Sequence, residues 1–195
     1  MSLRDALTGR HQVKGPAPDR LFAISTAYIT LSSEHQIEPA GTAAIVFQAL
    51  ATSEFETTLR EMEELVRATG AESGTSVTTE DDSFGYRWMI LRNPEGAPSV
   101  EDLAVGINAV SSSIETAGHG ERLLCAVFAF IDASKRKVYF IYNYKRGFWY
   151  PFVPDPSGPQ QRLTERELQI KAQMASEIPI EPEIERWFPL WGIPI

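Results

Sequence analysis

The residues of this chain that could act as nucleophiles or metal ligands are few and lie far apart in sequence. Its three histidines are His11, His35 and His119, and none has a second His, a Cys or a carboxylate at the spacing of a zinc motif. Its single cysteine, Cys125, lies in an apolar run, where burial raises a thiol pKa and disfavours the reactive thiolate. The pattern therefore predicts no metal site and no thiol nucleophile. Cys125 is predicted to be a small core residue.

Adjacent acids and serines give a second set of groups that could do chemistry. The run Glu80-Asp81-Asp82 offers carboxylates, but no partner base or further ligand follows it, and acids ahead of Gly85 favour a solvated turn. The run Ser111-Ser112-Ser113 falls on a predicted helix without a GxSxG elbow, and no glycine-rich phosphate loop occurs. We therefore predict no catalytic residue and no cofactor. A site assembled from residues far apart in sequence stays open as the alternative.

Composition and charge limit the classes of protein to which the chain can belong. Its 195 residues, 43% of them apolar, suffice for one domain with its own core. The sequence contains no apolar run of about eighteen residues, so it predicts no membrane-spanning helix. The net charge of −8 opposes attraction to nucleic acid, which is a polyanion. The first residues do not form a secretory signal and the lone cysteine suits a reducing compartment, so we expect a cytoplasmic protein.

The first eighteen residues are predicted to form a flexible arm. Residues 15–18, Gly-Pro-Ala-Pro, stop any helix and favour an extended linker. Ahead of this linker, a short apolar face with Arg4 beside it is formed by Leu3, Ala6 and Leu7. This face raises the hypothesis of weak peripheral contact with an anionic membrane surface, although it is too short to anchor the chain.

Residues 19–195 are predicted to form a single domain. Apolar residues at helical spacing, with glycine stops, predict helices over residues 19–34, 53–70, 99–117 and 164–176. Ser99 is predicted to cap the third of these, and capping boxes are predicted at Ser53 with Glu56 and at Thr164 with Glu167. Runs rich in β-formers predict strands over residues 43–50, 75–80, 86–92, 123–132, 138–145 and 148–153. Strand pairs separated by helices indicate the α+β class, with an antiparallel or mixed sheet and helices mainly on one face.

Two aromatic segments are candidates for binding. In residues 137–150, aromatic and basic residues alternate, which is typical either of a hairpin core or of a platform that stacks bases; the acidic total favours the core. Residues 184–195 are unusually apolar and must be buried, either as a strap on the domain's own sheet or against a partner. The candidate interface residues are Trp149, Tyr150, Trp187, Phe188, Leu190 and Trp191.

Several segments also resemble a known family. They are residues 19–23 (DRLFA), 82–88 (DSFGYRW), 120–124 (GERLL), 139–154 (YFIYNYKRGFWYPFVP) and 185–194 (ERWFPLWGIP). On these segments the chain resembles the PspA-associated protein PspAB family over nearly its whole length, most specifically in the last third.

The resemblance implies a setting in the phage-shock, or envelope-stress, response. It implies an accessory or adaptor role that binds phage-shock protein A or an HtpX-type membrane protease, near the inner face of the membrane. It supplies no catalytic residues. The alternative function is an enzyme or a small-ligand-binding protein.

Overall fold

An antiparallel sheet forms the centre of the computed structural model, which describes residues 18–70 and 73–195. Its six strands lie in the order β2-β3-β1-β4-β5-β6, and every neighbouring pair is antiparallel. The strands are β1 (Ile37–Gln48), β2 (Ser76–Asp81), β3 (Tyr86–Arg92), β4 (Leu123–Asp132), β5 (Lys137–Asn143) and β6 (Phe148–Phe152). Apart from Pro18, the predicted arm lies outside the described residues.

The helices pack mainly on one face of this sheet. They are α1 (Pro18–Phe22), α2 (Ile24–His35), α3 (Ser53–Gly70), α4 (Val100–Thr116) and α5 (Thr164–Met174), with short 3-10 helices at Gly120–Arg122 and Ile184–Arg186. Each of the five α-helices contributes buried residues to one core cluster with the inward side chains of the strands. The predicted α+β class and the one-sided arrangement of the helices are confirmed.

The first strand is longer than the sequence pattern predicts. Because Pro39 and Gly41 look like strand breakers, the pattern starts the strand at residue 43, but β1 begins at Ile37. The pairing with β4 shifts register between Pro39 and Thr42, and Gly41 adopts a left-handed φ of 67°. A β-bulge at this shift accommodates the two residues between Pro39 and Thr42, which have no partner in the ladder of β4.

The helix caps also differ in part from the sequence pattern. Ser99 caps α4 as predicted, accepting from the backbone N–H of Asp102 at 3.1 Å. At α3 the side-chain cap is Thr52, whose hydroxyl accepts from Phe55 N–H at 3.3 Å, one residue before the predicted Ser53. At α5 the predicted capping box is wrong, because Glu167 accepts from the backbone N–H of Val153 at 2.8 Å. Tertiary structure therefore redirects a side chain that local spacing assigns to the helix end.

The other face of the sheet is covered by residues 179–195, which we call the C-terminal strap. The strap first borders β6: Trp149 N–H donates to Pro179 O at 2.9 Å and Glu181 N–H donates to Trp149 O at 2.7 Å. It then packs on a second core cluster drawn from the outward side chains of β1, β3, β4, β5 and β6. The partly buried strap residues that pack there are Ile180, Leu190, Trp191, Ile193 and Ile195. The apolar chain end thus replaces a helical layer on this face.

Candidate protein-binding surfaces

The candidate interface residues divide into a buried and an exposed group. Trp149 and Tyr150 are buried on β6, and Trp187 is only 2% exposed. The Trp187 ring stacks on Tyr150 with 6.3 Å between centroids, and its Nε1–H donates to Glu181 O at 3.0 Å. The Lys171 ammonium of α5 lies 5.5 Å from the same ring. These three aromatic side chains are therefore buried by contacts within the chain itself.

The remaining candidates lie nearer to solvent. Phe188 is 60% exposed, and Leu190 and Trp191 are half-buried. Tyr150 OH donates to Phe188 O at 3.0 Å, and Trp191 meets Phe152 edge-on at 5.2 Å. The backbone at Phe188 is thus fixed while its ring points away from the second core.

Two buried carboxylates hold the strap to the domain. Glu181 is bound by the Arg146 guanidinium, and Glu167 pairs with Arg162 at 2.7 Å. Arg162 also donates to Trp187 O at 2.8 Å. Burial alone raises the pKa of Glu181, but the hydrogen bonds from Arg146 and from the backbone of Glu183 outweigh it, so that this pKa lies below its usual value.

The hairpin between β2 and β3 presents an aromatic ring to solvent. Phe84, at its tip, is 74% exposed, and Tyr86 beside it is also exposed. One oxygen of Asp82 accepts from Phe84 N–H at 2.8 Å and from Tyr86 N–H at 2.9 Å, and the other accepts from Trp88 Nε1–H at 3.0 Å. The acidic turn that the sequence predicts is present, but its Asp82 carboxylate braces the loop. Phe84 is consequently held out by a fixed turn.

Ion pairs join the base of this hairpin to α3. Arg87 Nε donates to Asp81 at 2.7 Å, and Arg87 Nη1 donates to Glu56 at 3.0 Å. The hydrogen bond from Arg87 lowers the pKa of Asp81 below its usual range. Sequence reasoning missed Phe84 as a binding residue, although an aromatic residue in a turn was a readable signal. Strand patterning alone does not show that the turn is rigid.

An open groove of about 450 Å³ lies between α3 and α4. From α3 it is lined by Thr58, Glu61, Met62 and Leu65, and from α4 by Ser112, Ser113, Thr116 and Ala117. Leu65 is 49% exposed there. The sequence identifies the buried faces of both helices but not this groove, which exists only because the two helices pack side by side.

Within the described part of the chain, two polar side-chain atoms on α4 and β5 are buried without a hydrogen bond. Tyr142 OH and Glu115 Oε1 have no hydrogen-bond partner among the described residues. Burial raises the pKa of Tyr142 to about 12, with Arg20 acting in the opposite direction, and burial also raises the pKa of Glu115. Unsatisfied buried groups of this kind are uncommon in folded proteins. No sequence motif brings these residues together.

The residues singled out for nucleophilic or metal chemistry remain apart in the described chain. Cys125 is buried, and burial raises the pKa of its thiol to about 12, which confirms it as a core residue. His119 packs edge-on against Phe55 at 5.1 Å, and His35 ends α2. His11 lies outside the described residues. Over residues 18–70 and 73–195, no three His, Cys, Asp or Glu residues are grouped so that they could hold a metal ion.

The fold defines a single-domain α+β protein, an antiparallel sheet with helices mainly on one face and an extended strap on the other. The family model of PspA associated protein B (PspAB) matches residues 1–195, the whole chain, so this protein belongs to the PspAB family. The family name implies association with PspA, which is consistent with an accessory role. No curated protein and no solved structure matches the chain. In the part of the chain that is described, no helix is long and apolar enough to cross a membrane.

Proposed function

We propose that this protein is a non-catalytic accessory protein of the PspA system that acts by binding another protein through the tip of the β2-β3 hairpin. The observation that carries the proposal is Phe84, which is 74% exposed on a turn braced by Asp82. PspA, from which the family takes its name, is the first partner to test. Association with PspA would bring the protein close to the inner face of the membrane, and an HtpX-type protease is the second partner to test.

A fixed, exposed aromatic ring has the properties of an interface hot spot. Large aromatic side chains bury much apolar area and lose few rotamers on binding. Because Asp82 already bonds two backbone N–H groups of the turn, little loop entropy remains to be lost when a partner covers Phe84. The neighbouring Tyr86 adds a second ring with a polar end.

The test is binding of purified PspA to the immobilised full chain, measured by biolayer interferometry. We expect Phe84→Ala to weaken binding at least about tenfold, as loss of an aromatic hot spot does. Ile29→Ala is the matched control, since Ile29 is 56% exposed on α2, and its affinity should equal that of wild type. Melting temperatures within about 2 °C of wild type would show that both variants are folded.

The same measurement separates the hairpin from the strap. Phe188→Ala removes the most exposed ring among the candidate interface residues. If Phe188→Ala abolished PspA binding and Phe84→Ala did not, the strap would be the contact surface and the hairpin proposal would be wrong. Full affinity in both variants would refute an aromatic contact to PspA at either place, and the HtpX-type protease would be tested next.

A second candidate function, small-ligand binding, is favoured by the buried, unsatisfied polar atoms of Tyr142 and Glu115. A buried unsatisfied polar atom is satisfied either by a polar ligand or by an ordered water. A thermal-shift screen of polar metabolites distinguishes the two. A ligand that raises the melting temperature of wild type but not of Tyr142→Phe would favour binding, whereas no response would favour water.

A further inference from the structure

The helices α3 and α4 run antiparallel and leave one side of their contact open. Val66 of α3 lies beside Gly106 of α4, at 3.8 Å from a Cβ built on the glycine. Thr58, near the start of α3, lines the same groove as Thr116, at the end of α4. The groove itself lies beside residues 58–65 of α3 and residues 112–117 at the end of α4.

Each helix presents one row of residues along this groove. The α3 row contains Thr58, Glu61 and Leu65, and the same alternation of three and four extends it to Glu54 and Ala68. Such spacing keeps residues on one face and is the spacing of a helix-packing seam.

The α4 row has the same alternation. It contains Ser112 and Thr116, which line the groove, and extends back through Ala109 and Val105 to Asp102. Val105 is 56% exposed, so the apolar end of this row is open to solvent beyond the groove itself. The groove lies between the parts of the two rows that run from Thr58 to Leu65 and from Ser112 to Thr116, and it is open on its third side.

The charges along the two rows are of one sign. Glu54, Glu61 and Asp102 are exposed acids, and neither row contains Lys or Arg. The arginines of α3, Arg60 and Arg67, fall outside the row, and α4 has none. Glu61 lines the groove itself, and Glu54 and Asp102 continue the negative charge beyond it. This charge opposes a second copy of the same surface and favours a cationic partner.

We propose that the α3-α4 groove binds an amphipathic helix of a partner protein, with an apolar row seated between the two walls and Lys or Arg on its flanks. The proposal is independent of the hairpin contact, because Glu56 and Glu63 direct the hairpin-facing side of α3 toward Arg87 and Thr79, away from the groove. With both contacts, the protein would bridge two partners.

The dimensions of the groove suit a helix. The groove-lining stretch of α3, from Thr58 to Leu65, spans about 12 Å, so two to three turns of a partner helix would cover the groove. Small side chains on the α4 wall, Ser112, Ser113 and Ala117, permit the close interaxial distance of about 8–10 Å that packed helices adopt. Leu65 and Val105 are the exposed apolar residues of the two rows, and apolar side chains of the partner helix would pack against them.

The test uses a labelled synthetic helix of about 18 residues, with Leu and Ala at alternating spacings of three and four and Lys on the flanks, and a sibling with Glu in place of Lys. Fluorescence anisotropy with the full chain measures both. We expect the Lys helix to bind at least about tenfold more tightly than the Glu helix, with affinity falling as salt rises.

Three variants test where the peptide binds. Leu65→Lys and Glu61→Lys should each weaken the Lys helix by about fivefold or more, because both add a cation to the groove wall. Glu185→Lys makes the same charge change at an exposed strap residue and should alter the affinity less than about twofold. Phe84→Ala should leave peptide binding unchanged, since the hairpin contact is separate.

Several results would overturn the inference. Equal binding of the Lys and Glu helices, or equal losses in Glu61→Lys and Glu185→Lys, would show only nonspecific attraction to the acidic chain. A dimer in sedimentation that Leu65→Lys makes monomeric would mean that a second copy occupies the groove. A gain in peptide affinity on combining Arg10→Glu with Lys14→Glu would mean that residues 1–17 compete for it.

Discussion

The replacement of Trp187 by alanine tests whether the strap is part of the core. Trp187 is 2% exposed, stacks on Tyr150, and donates its Nε1–H to Glu181 O at 3.0 Å. Its carbonyl accepts from Arg162 at 2.8 Å. The substitution therefore removes an aromatic contact and a hydrogen bond together. It does so beside Arg162, which also pairs with Glu167 of α5.

The expected loss follows from the area that the indole buries. A tryptophan buries on the order of 250 Å², and removing most of it at about 25 cal/mol per Å² corresponds to roughly 4 kcal/mol. The unpaired Glu181 carbonyl adds about 1 kcal/mol, and partial collapse of the cavity offsets a similar amount. We expect Trp187→Ala to lower the free energy of unfolding by about 3–5 kcal/mol.

Urea unfolding followed by far-UV circular dichroism measures this loss, with Phe188→Ala as the neighbouring control. Because the Phe188 ring is 60% exposed, its removal should change stability by less than about 1 kcal/mol. Trp187→Phe should fall between the two, since it keeps a ring against Tyr150 but not the indole hydrogen bond. A loss below about 1 kcal/mol in Trp187→Ala, with an unchanged m-value, would refute the assignment of this ring to the core.

Two further substitutions test the packing and the electrostatics. Alanine normally stabilises a helix relative to glycine by about 1 kcal/mol. Gly106→Ala should instead lower the free energy of unfolding of the protein by about 1–2 kcal/mol, because its Cβ would lie 2.3 Å from Cδ2 of the fully buried Leu91. A urea midpoint higher than that of wild type would contradict this. Burial alone raises the pKa of Asp132, but hydrogen bonds from Arg136 and Ser134 hold it below its ordinary value of 3.8, so its stabilisation is complete above that pH and is lost as pH falls through the lower folded value. Asp132→Asn should accordingly be less stable than wild type at pH 7, and the difference should shrink as pH falls below 3.8. A difference in melting temperature that stays constant as pH is lowered through this range would refute the linkage.

The sequence by itself determined the class of fold and most of its elements. The apolar spacing of Phe55, Leu59, Met62 and Val66 predicts α3, and all four are buried. The turn at residues 81–85 predicts that the two strands on either side of it pair antiparallel, which the register of β2 and β3 confirms. These features were readable because periodicity and turn chemistry depend on residues close together in the chain.

Only the tertiary structure decided where the surfaces lie. The aromatic strap reads equally as core or interface until the sheet is seen to bury Trp187 and leave Phe188 exposed, because burial depends on what packs opposite a residue. Glu167 matches a capping box in the sequence, yet its carboxylate accepts from the backbone N–H of Val153, the residue that follows β6. The groove depends on how α3 and α4 lie against each other, and the burial of the unsatisfied Tyr142 and Glu115 atoms likewise depends on the packing of α4 and β5 into the fold. Such contacts carry no local spacing signal, since they are fixed by the packing of whole elements.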